Sequence, residues 1–340
     1  MSAELESMFW LQDDGAPWHK LGTSIDGPVK SGEEAIKLAG LDWTVSTQQL
    51  FYWGVDTNTV INTEAEEEDQ IHLKVLLPSN NFAVVRDSDN NHLGTVGPGW
   101  SPVQNVNAFS FMDKAVGEGE IEYRTAGSLK GGKVVWILAS LPGYMKIGAD
   151  DHVAKFLLLS NSHDGSMALR INITPIRVVC WNTLSGAISA AEQAEDAGKT
   201  AITRFWHTRG VHARLNDFSQ ELAKVRHIYD QTQEAYNYLA GKPVSTEDVE
   251  TYISTLFPLA EDSERPTRTL NIREAVVKEF EGGYGSELKA ARGTRWGLYN
   301  AVAAYTDHTR GRNADNRLYS AWFGASINLK EQALDLAMTM

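Results

Sequence analysis

The sequence predicts an α+β protein: an antiparallel β-sheet packed with helices, followed by a mainly helical C-terminal region. Three observations carry this expectation. Residues 42–97 are rich in β-branched and aromatic residues, punctuated by Asn, Asp and Gly. A second set of strand-like runs lies between 121 and 174. After Pro175 the apolar residues recur at helical spacing. The order divides the 340 residues into an N-terminal segment (1–40), a sheet core domain (41–200) and a helical region (201–340).

The N-terminal segment reads as loop with one short helix, "SGEEAIKLAGL", in which Ser31 is the expected N-cap and two glutamates occupy the first turn. Four strands follow: "DWTVSTQQLFYWG", "IHLKVLL", "NFAVVRDS" and "HLGTVGPGW", the last two joined by a turn in "DSDNNHLG". "SPVQNVNAFSFMDKAVGEG" (101–119) has Val106, Phe109, Met112 and Val116 near helical spacing, and Gly117 ends it. Four more strands are expected in "IEYRTAGSL", "GKVVWILASL", "HVAKFLLLS" and "SMALRINIT", with Gly131, Gly132 and Pro142–Gly143 supplying turns. From "IRVVCWNTL" onward the chain is expected to be helical. It includes a long amphipathic stretch at about 211–241 and a Gly interruption at 282–285.

Composition narrows the function classes. Hydrophobic residues at 42% and charged residues at 22% describe a globular chain. One cysteine excludes an internal disulfide framework and a Cys-rich zinc site. No basic-then-apolar leader or membrane-length apolar run occurs, so a cytoplasmic protein is expected. The net charge of −13 is unevenly spread: residues 1–100 hold 16 Asp/Glu against 5 Lys/Arg, notably in "EAEEEDQ" (64–70). By contrast "KTAITRFWHTRGVHARLNDFSQELAKVRH" (199–227) holds 6 Lys/Arg against 2 acids.

Several candidate chemistries are weak at the level of spacing. His163–Asp164–Gly165 has the residue types of a general base or metal-ligand pair, but adjacent turn residues rarely converge on one substrate. A hairpin held by side-chain to backbone hydrogen bonds explains it better. Cys180 follows "IRVV" and reads as core. His207 and His212 are five apart, outside zinc spacings, and no HExxH occurs. "GGYGSELKAARGTR" (282–295) lacks the phosphate-loop pattern. The basic and aromatic residues are more informative. Arg170 and Arg177 bracket a strand end, Lys130 and Lys133 flank a glycine turn, and Arg204, Trp206, His207 and Arg209 fall in one segment. Cations for phosphates and planar rings for bases are what single-stranded nucleic acid requires.

A resemblance runs through these same residues. "APWHKLG" (16–22), "AGSLKGGKVVWILASL" (126–141), "LSNSHDGSMALRINITPIRVVCWNTL" (159–184), "FWHTRGVHARL" (205–215) and "TRWGLYNAVAAYTDHTRGR" (294–312) together resemble a phage and plasmid protein family classed as a domain of unknown function (number nine-three-two). The resemblance extends from near residue 8 to near residue 336 and omits the acidic "EAEEEDQ". It implies a phage, prophage or plasmid origin, often beside replication and recombination genes. The order of strands and helices is also similar to that of single-strand annealing proteins of the Redβ, RecT and Erf type, which form rings or filaments around a basic groove.

The expectation is therefore a homo-oligomeric DNA-binding protein that anneals single-stranded DNA in recombination or replication, without covalent catalysis, cofactor, metal or membrane. Phage or host replication and recombination proteins are its expected partners. Arg170, Arg177, Lys130 and Lys133 are the expected phosphate contacts, with Arg204, Trp206, His207 and Arg209 as a second surface. Two alternatives remain open at this point: a metal-dependent nuclease using His163 and Asp164, and an accessory or anti-defence protein that binds a host protein through its acidic N-terminal hundred residues.

Overall fold

The computed structural model describes residues 5–11, 22–60, 72–116, 122–179, 201–216, 222–259, 266–311, 317, 320 and 324–340. The α+β expectation holds. Eight strands form the main sheet: β1 (Leu5–Leu11), β2 (Thr23–Ile25), β6 (Glu122–Leu129), β7 (Val134–Ile147), β8 (Asp151–Ser162), β9 (Leu169–Ile173), β10 (Ile176–Arg177) and β11 (Ala201–Phe205). Their order is β11-β9-β8-β7-β6-β1-β2, with β10 on the far half of β8. Every pairing is antiparallel except β1 with β2.

Side chains alternate across a strand, so the register fixes two faces. One row, Phe9–Ala126–Ile137–Leu159–Ile171, crosses β1, β6, β7, β8 and β9 and packs beneath the helices in one large core. The adjacent row, Met8–Gly127–Trp136–Ser160–Arg170–Arg204, points to the opposite face. There Met8, Trp136, Leu138, Phe156 and Leu158 make a second, smaller core. Gly127 is required in that row: a Cβ would lie 2.6 Å from the Trp136 indole and 2.3 Å from the Ser7 carbonyl.

Three strands form a separate sheet in the order β3 (Val45–Val60), β4 (His72–Arg86), β5 (Asn91–Val96). The two sequence runs "IHLKVLL" and "NFAVVRDS" are one continuous strand here, passing through Pro78. Proline is tolerated because it lies next to a register shift and beyond the reach of β5, on an edge that needs no donor. This sheet docks on the main one. Arg86 Nη1 donates to Glu6 Oε1 at 2.7 Å, Asn91 Nδ2 donates to the Gly131 carbonyl at 3.3 Å, and the Gly94 Cα sits where any Cβ would meet Asp164 Cα at 2.5 Å.

The helices are α1 (Gly32–Leu38), α2 (Asn105–Val116), α3 (Val211–Asn216), α4 (Leu222–Ala240), α5 (Thr246–Leu256), α6 (Pro266–Gly282), α7 (Arg295–Ala304) and α8 (Ala325–Thr339). Ser31 caps α1 as expected, accepting from Glu34 N. A π-helical turn, Tyr305–Thr309, extends α7. The tyrosine hydroxyl of Tyr229 ties α4 to the sheet by donating to the Phe156 carbonyl and accepting from Phe156 N at 2.8 Å.

Three sequence expectations change. The N-terminal segment, read as loop with one short helix, supplies strands β1 and β2 to the main sheet, β1 by pairing along β6. Ile176–Arg177 is a short strand, because it pairs with Ala154 and Val153 rather than starting a helix. Residues 201–205, placed at the head of the helical region, form the edge strand β11, so the main sheet extends past residue 200. Cys180 and the helix read over 180–197 lie outside the described residues.

Candidate nucleic-acid interface

The register brings some of the expected contacts together and separates others. Arg170 and Arg204 are direct cross-strand partners on β9 and β11, both half-buried on the face opposite the helices. Like charges placed directly opposite cost stability unless opposite charge is nearby. Lys130 and Lys133 stand in the β6–β7 turn, where Lys130 adopts φ 56 and Gly131 and Gly132 continue in the left-handed region. This turn lies at the same end of the sheet as Arg170, since the Lys133 carbonyl accepts from His163 N just past the end of β8.

Arg177 is not part of this group. It pairs with Val153, nine positions along β8 from Ser162, which places it about 30 Å away at the other end of the sheet. Its residue exposure is 1%, and its guanidinium donates to Asp151 Oδ2 from Nε at 2.7 Å and pairs with the same oxygen through Nη2 at 2.7 Å. Nη2 also donates to the Gly285 carbonyl at 2.8 Å, and the Trp296 indole donates to the same Asp151 oxygen at 2.8 Å. A buried, committed guanidinium does not meet a phosphate, so the assignment of Arg177 to DNA is corrected to a structural one. The Gly-rich loop at 282–285 is likewise a cradle for Arg177: Gly285 has φ +77 and its Cβ would lie 3.0 Å from Arg177 Nη1.

Just beyond β11 the chain alternates between solvent and core. Trp206 is 63% exposed and Arg209 is exposed, while His207 between them is buried. His207 stacks on Trp100 with ring centroids 5.0 Å apart and 17° between planes. Its Nδ1 faces the Ser101 carbonyl at 3.1 Å, an acceptor only, so Nδ1 carries the proton and Nε2 keeps its lone pair. Burial pushes the His207 pKa down, which keeps the ring neutral. His207 is thereby corrected from a DNA contact to an anchor. It holds the strand end so that Trp206 projects outward. Arg214, on α3, fixes the same segment by donating from Nη2 to the Trp206 carbonyl at 3.0 Å and to Thr208 Oγ1 at 2.7 Å.

The His163–Asp164 turn shows the hairpin chemistry its composition suggests. Asp164 Oδ1 accepts from Ser166 N at 2.9 Å, and Ser162 Oγ accepts from Met167 N at 3.0 Å. His163 is fully buried, with Nε2 2.8 Å from Asn105 Oδ1; Asn105 donates from Nδ2 to the Leu41 carbonyl. Burial lowers the His163 pKa to about 3, with the nearby His207 adding to the shift. Among the described residues no group of three or more His, Cys, Asp or Glu is placed to hold a metal ion.

One exposed feature went unassigned in the sequence. Phe51, Tyr52, Trp53, Val55 and Leu76 are all exposed on the β3–β4 hairpin. The signal was present in "FYWG": three consecutive aromatics on a strand cannot all face one side.

The model of a family described as a domain of unknown function (DUF932) matches residues 92–322 of this chain. The chain belongs to that family. The match begins at β5 and ends ahead of α8, so β1 to β4 lie outside it, as does the hairpin with the exposed aromatics. No curated protein and no solved structure matches the chain. No helix among the described residues is long and apolar enough to cross a membrane.

Proposed function

We propose that this protein binds single-stranded DNA without covalent catalysis and promotes strand annealing in recombination or replication of a phage or plasmid. The observation that carries the reading is the exposed indole of Trp206, held rigidly by the buried His207 and flanked by the cations Arg204, Arg209 and Arg214. A presented aromatic platform among arginines stacks a base and meets its phosphates without regard to sequence. Arg170 and the Lys130–Lys133 turn extend positive charge along the same sheet end.

Anisotropy of a labelled oligothymidylate tests it. Trp206→Ala should weaken binding by about 1–3 kcal/mol, roughly 5- to 150-fold. Arg209→Ala should flatten the dependence of log affinity on log salt by about 0.7. Unchanged affinity in the folded Trp206→Ala protein would sink the assignment. Absence of any binding at low salt, with a host protein recovered by pull-down, would favour the acidic surface of residues 1–100 as the functional one.

A further inference from the structure

The end of α5, the first turns of α6, the π-helical turn and α8 enclose a cleft of about 970 Å³, at the upper end of the ~300–1,000 Å³ usual for small-molecule sites. Its walls are tied to one another. Arg273 on α6 donates from Nε at 2.9 Å and from Nη2 at 2.7 Å to the Phe257 carbonyl just past α5. Lys330 on α8 donates to Asp307 Oδ1 in the π-helical turn at 2.9 Å, with both side chains buried. Separating such a pair leaves an uncompensated buried charge, so α8 and the turn keep one seating. The turn also sets the residue that follows it. Arg310 N donates to the Tyr305 carbonyl five residues back, at 2.8 Å, and the Arg310 side chain lines the cleft. Such π-helical turns are frequent at functional sites.

The lining carries one sign of charge. Arg268 and Arg310 contribute two cations, and no Asp or Glu lines the cleft. Neither guanidinium has a carboxylate partner among the described residues, and Arg310 Nη1 is buried without a hydrogen-bond acceptor. Both act on one group. Burial raises the pKa of the Tyr305 hydroxyl, and Arg310 and Arg268 counter that rise, so the two cations converge beside one ring. The N-terminus of α8 reinforces them: Gly324 provides no side-chain cap, and Ala325 in the first turn borders the cleft. Two guanidiniums match a phosphate dianion better than a carboxylate, which a single arginine satisfies in bidentate fashion. The Phe257 and Tyr305 rings, 6.1 Å apart and edge to face, supply a planar apolar surface. Asn271, Asn328 and Gln332 also line the cleft, and each amide offers a donor and an acceptor to the edge of a heterocycle.

We propose that this cleft binds a mononucleotide, with its phosphate between Arg268 and Arg310, its base against Phe257 and Tyr305, and the base edge toward the amides. The site does not depend on the DNA-binding reading above, because the cleft shares no residue with the Trp206 surface.

Calorimetric titration of the full-length protein with AMP tests it. AMP is expected to bind with a Kd on the order of 10–100 μM. Adenosine, ribose 5-phosphate and inorganic phosphate should each bind at least about tenfold more weakly, since each lacks one half of the match. Arg268→Gln and Arg310→Gln should each weaken AMP by about tenfold or more and leave adenosine unchanged, a split that general loss of structure would not give. Arg268 is exposed, so its replacement keeps the fold. Asn328→Trp, also at an exposed position, fills the cleft without touching its charge and should abolish AMP binding. Trp206→Ala, which weakens oligonucleotide binding on the reading above, should leave AMP affinity as it is. Absence of saturable heat at millimolar AMP, inorganic phosphate bound as tightly as AMP, or wild-type AMP affinity in the folded arginine variants and in Asn328→Trp would each overturn the inference. So would loss of AMP binding in Trp206→Ala, which would put the nucleotide on the nucleic-acid surface instead.

Discussion

At Arg177 the guanidinium and the Trp296 indole converge on one oxygen of Asp151, and all three side chains are buried. Arg177→Ala leaves that carboxylate charged and short of its main partner. Breaking a buried pair by removing one member costs about 3–5 kcal/mol, a loss measurable by urea unfolding. Arg177→Met with Asp151→Leu should recover much of that loss, because a buried pair contributes little net stability over well-packed apolar side chains. His163 gives a pH signature with a definite sign. Its folded-state pKa of about 3 lies below the ordinary value of 6.5, so the unfolded chain binds the proton first on acidification. Its contribution is fully present above pH 6.5 and is lost as pH falls from there toward 3, at no more than about 1.4 kcal/mol per pH unit. His163→Gln should flatten the fall of Tm with acidification over that window.

At the scale of elements, the hairpins were legible because glycine and asparagine turns separate β-rich runs of ordinary length. The cap of α1 was legible because Ser31 and Glu34 sit at fixed spacing. β10 and β11 were not. A two-residue strand has no periodicity, and "AITRF" is embedded in a basic run whose charge drew the reading away from its alternation. The site was half legible for a related reason. Residue type marked Arg177 as a phosphate contact and His207 as part of a second surface, and only burial separates them from Trp206 and Arg209. Docking of the small sheet depends on Gly94, whose missing side chain admits the Asp164 backbone. Gly94→Ala should cost about 1–3 kcal/mol and expose the β4–β5 hairpin to limited proteolysis at lower protease concentration than the wild type.

Across the whole molecule the acidic and basic surfaces are divided between elements. Residues 1–100 hold 16 Asp/Glu against 5 Lys/Arg, whereas the exposed Arg209 and Arg214 stand just beyond β11. A protein of net charge −13 can therefore approach an anionic polymer by one edge while its other parts are repelled, which orients it. The pairing of β1 with β6 has a further consequence, in the order of synthesis. Phe9 leaves the ribosome well over a hundred residues before its partner Ala126, and until then its strand has no sheet to join. Hairpins β6–β7 and β7–β8 close locally and are complete first, while the earliest-made strand is inserted late between β6 and β2. A chain lacking residues 1–11 would keep those hairpins but leave β6 with an open edge. Its expected fate in cells is a larger insoluble fraction rather than a locally unfolded end, measured by comparing soluble yields of the two chains.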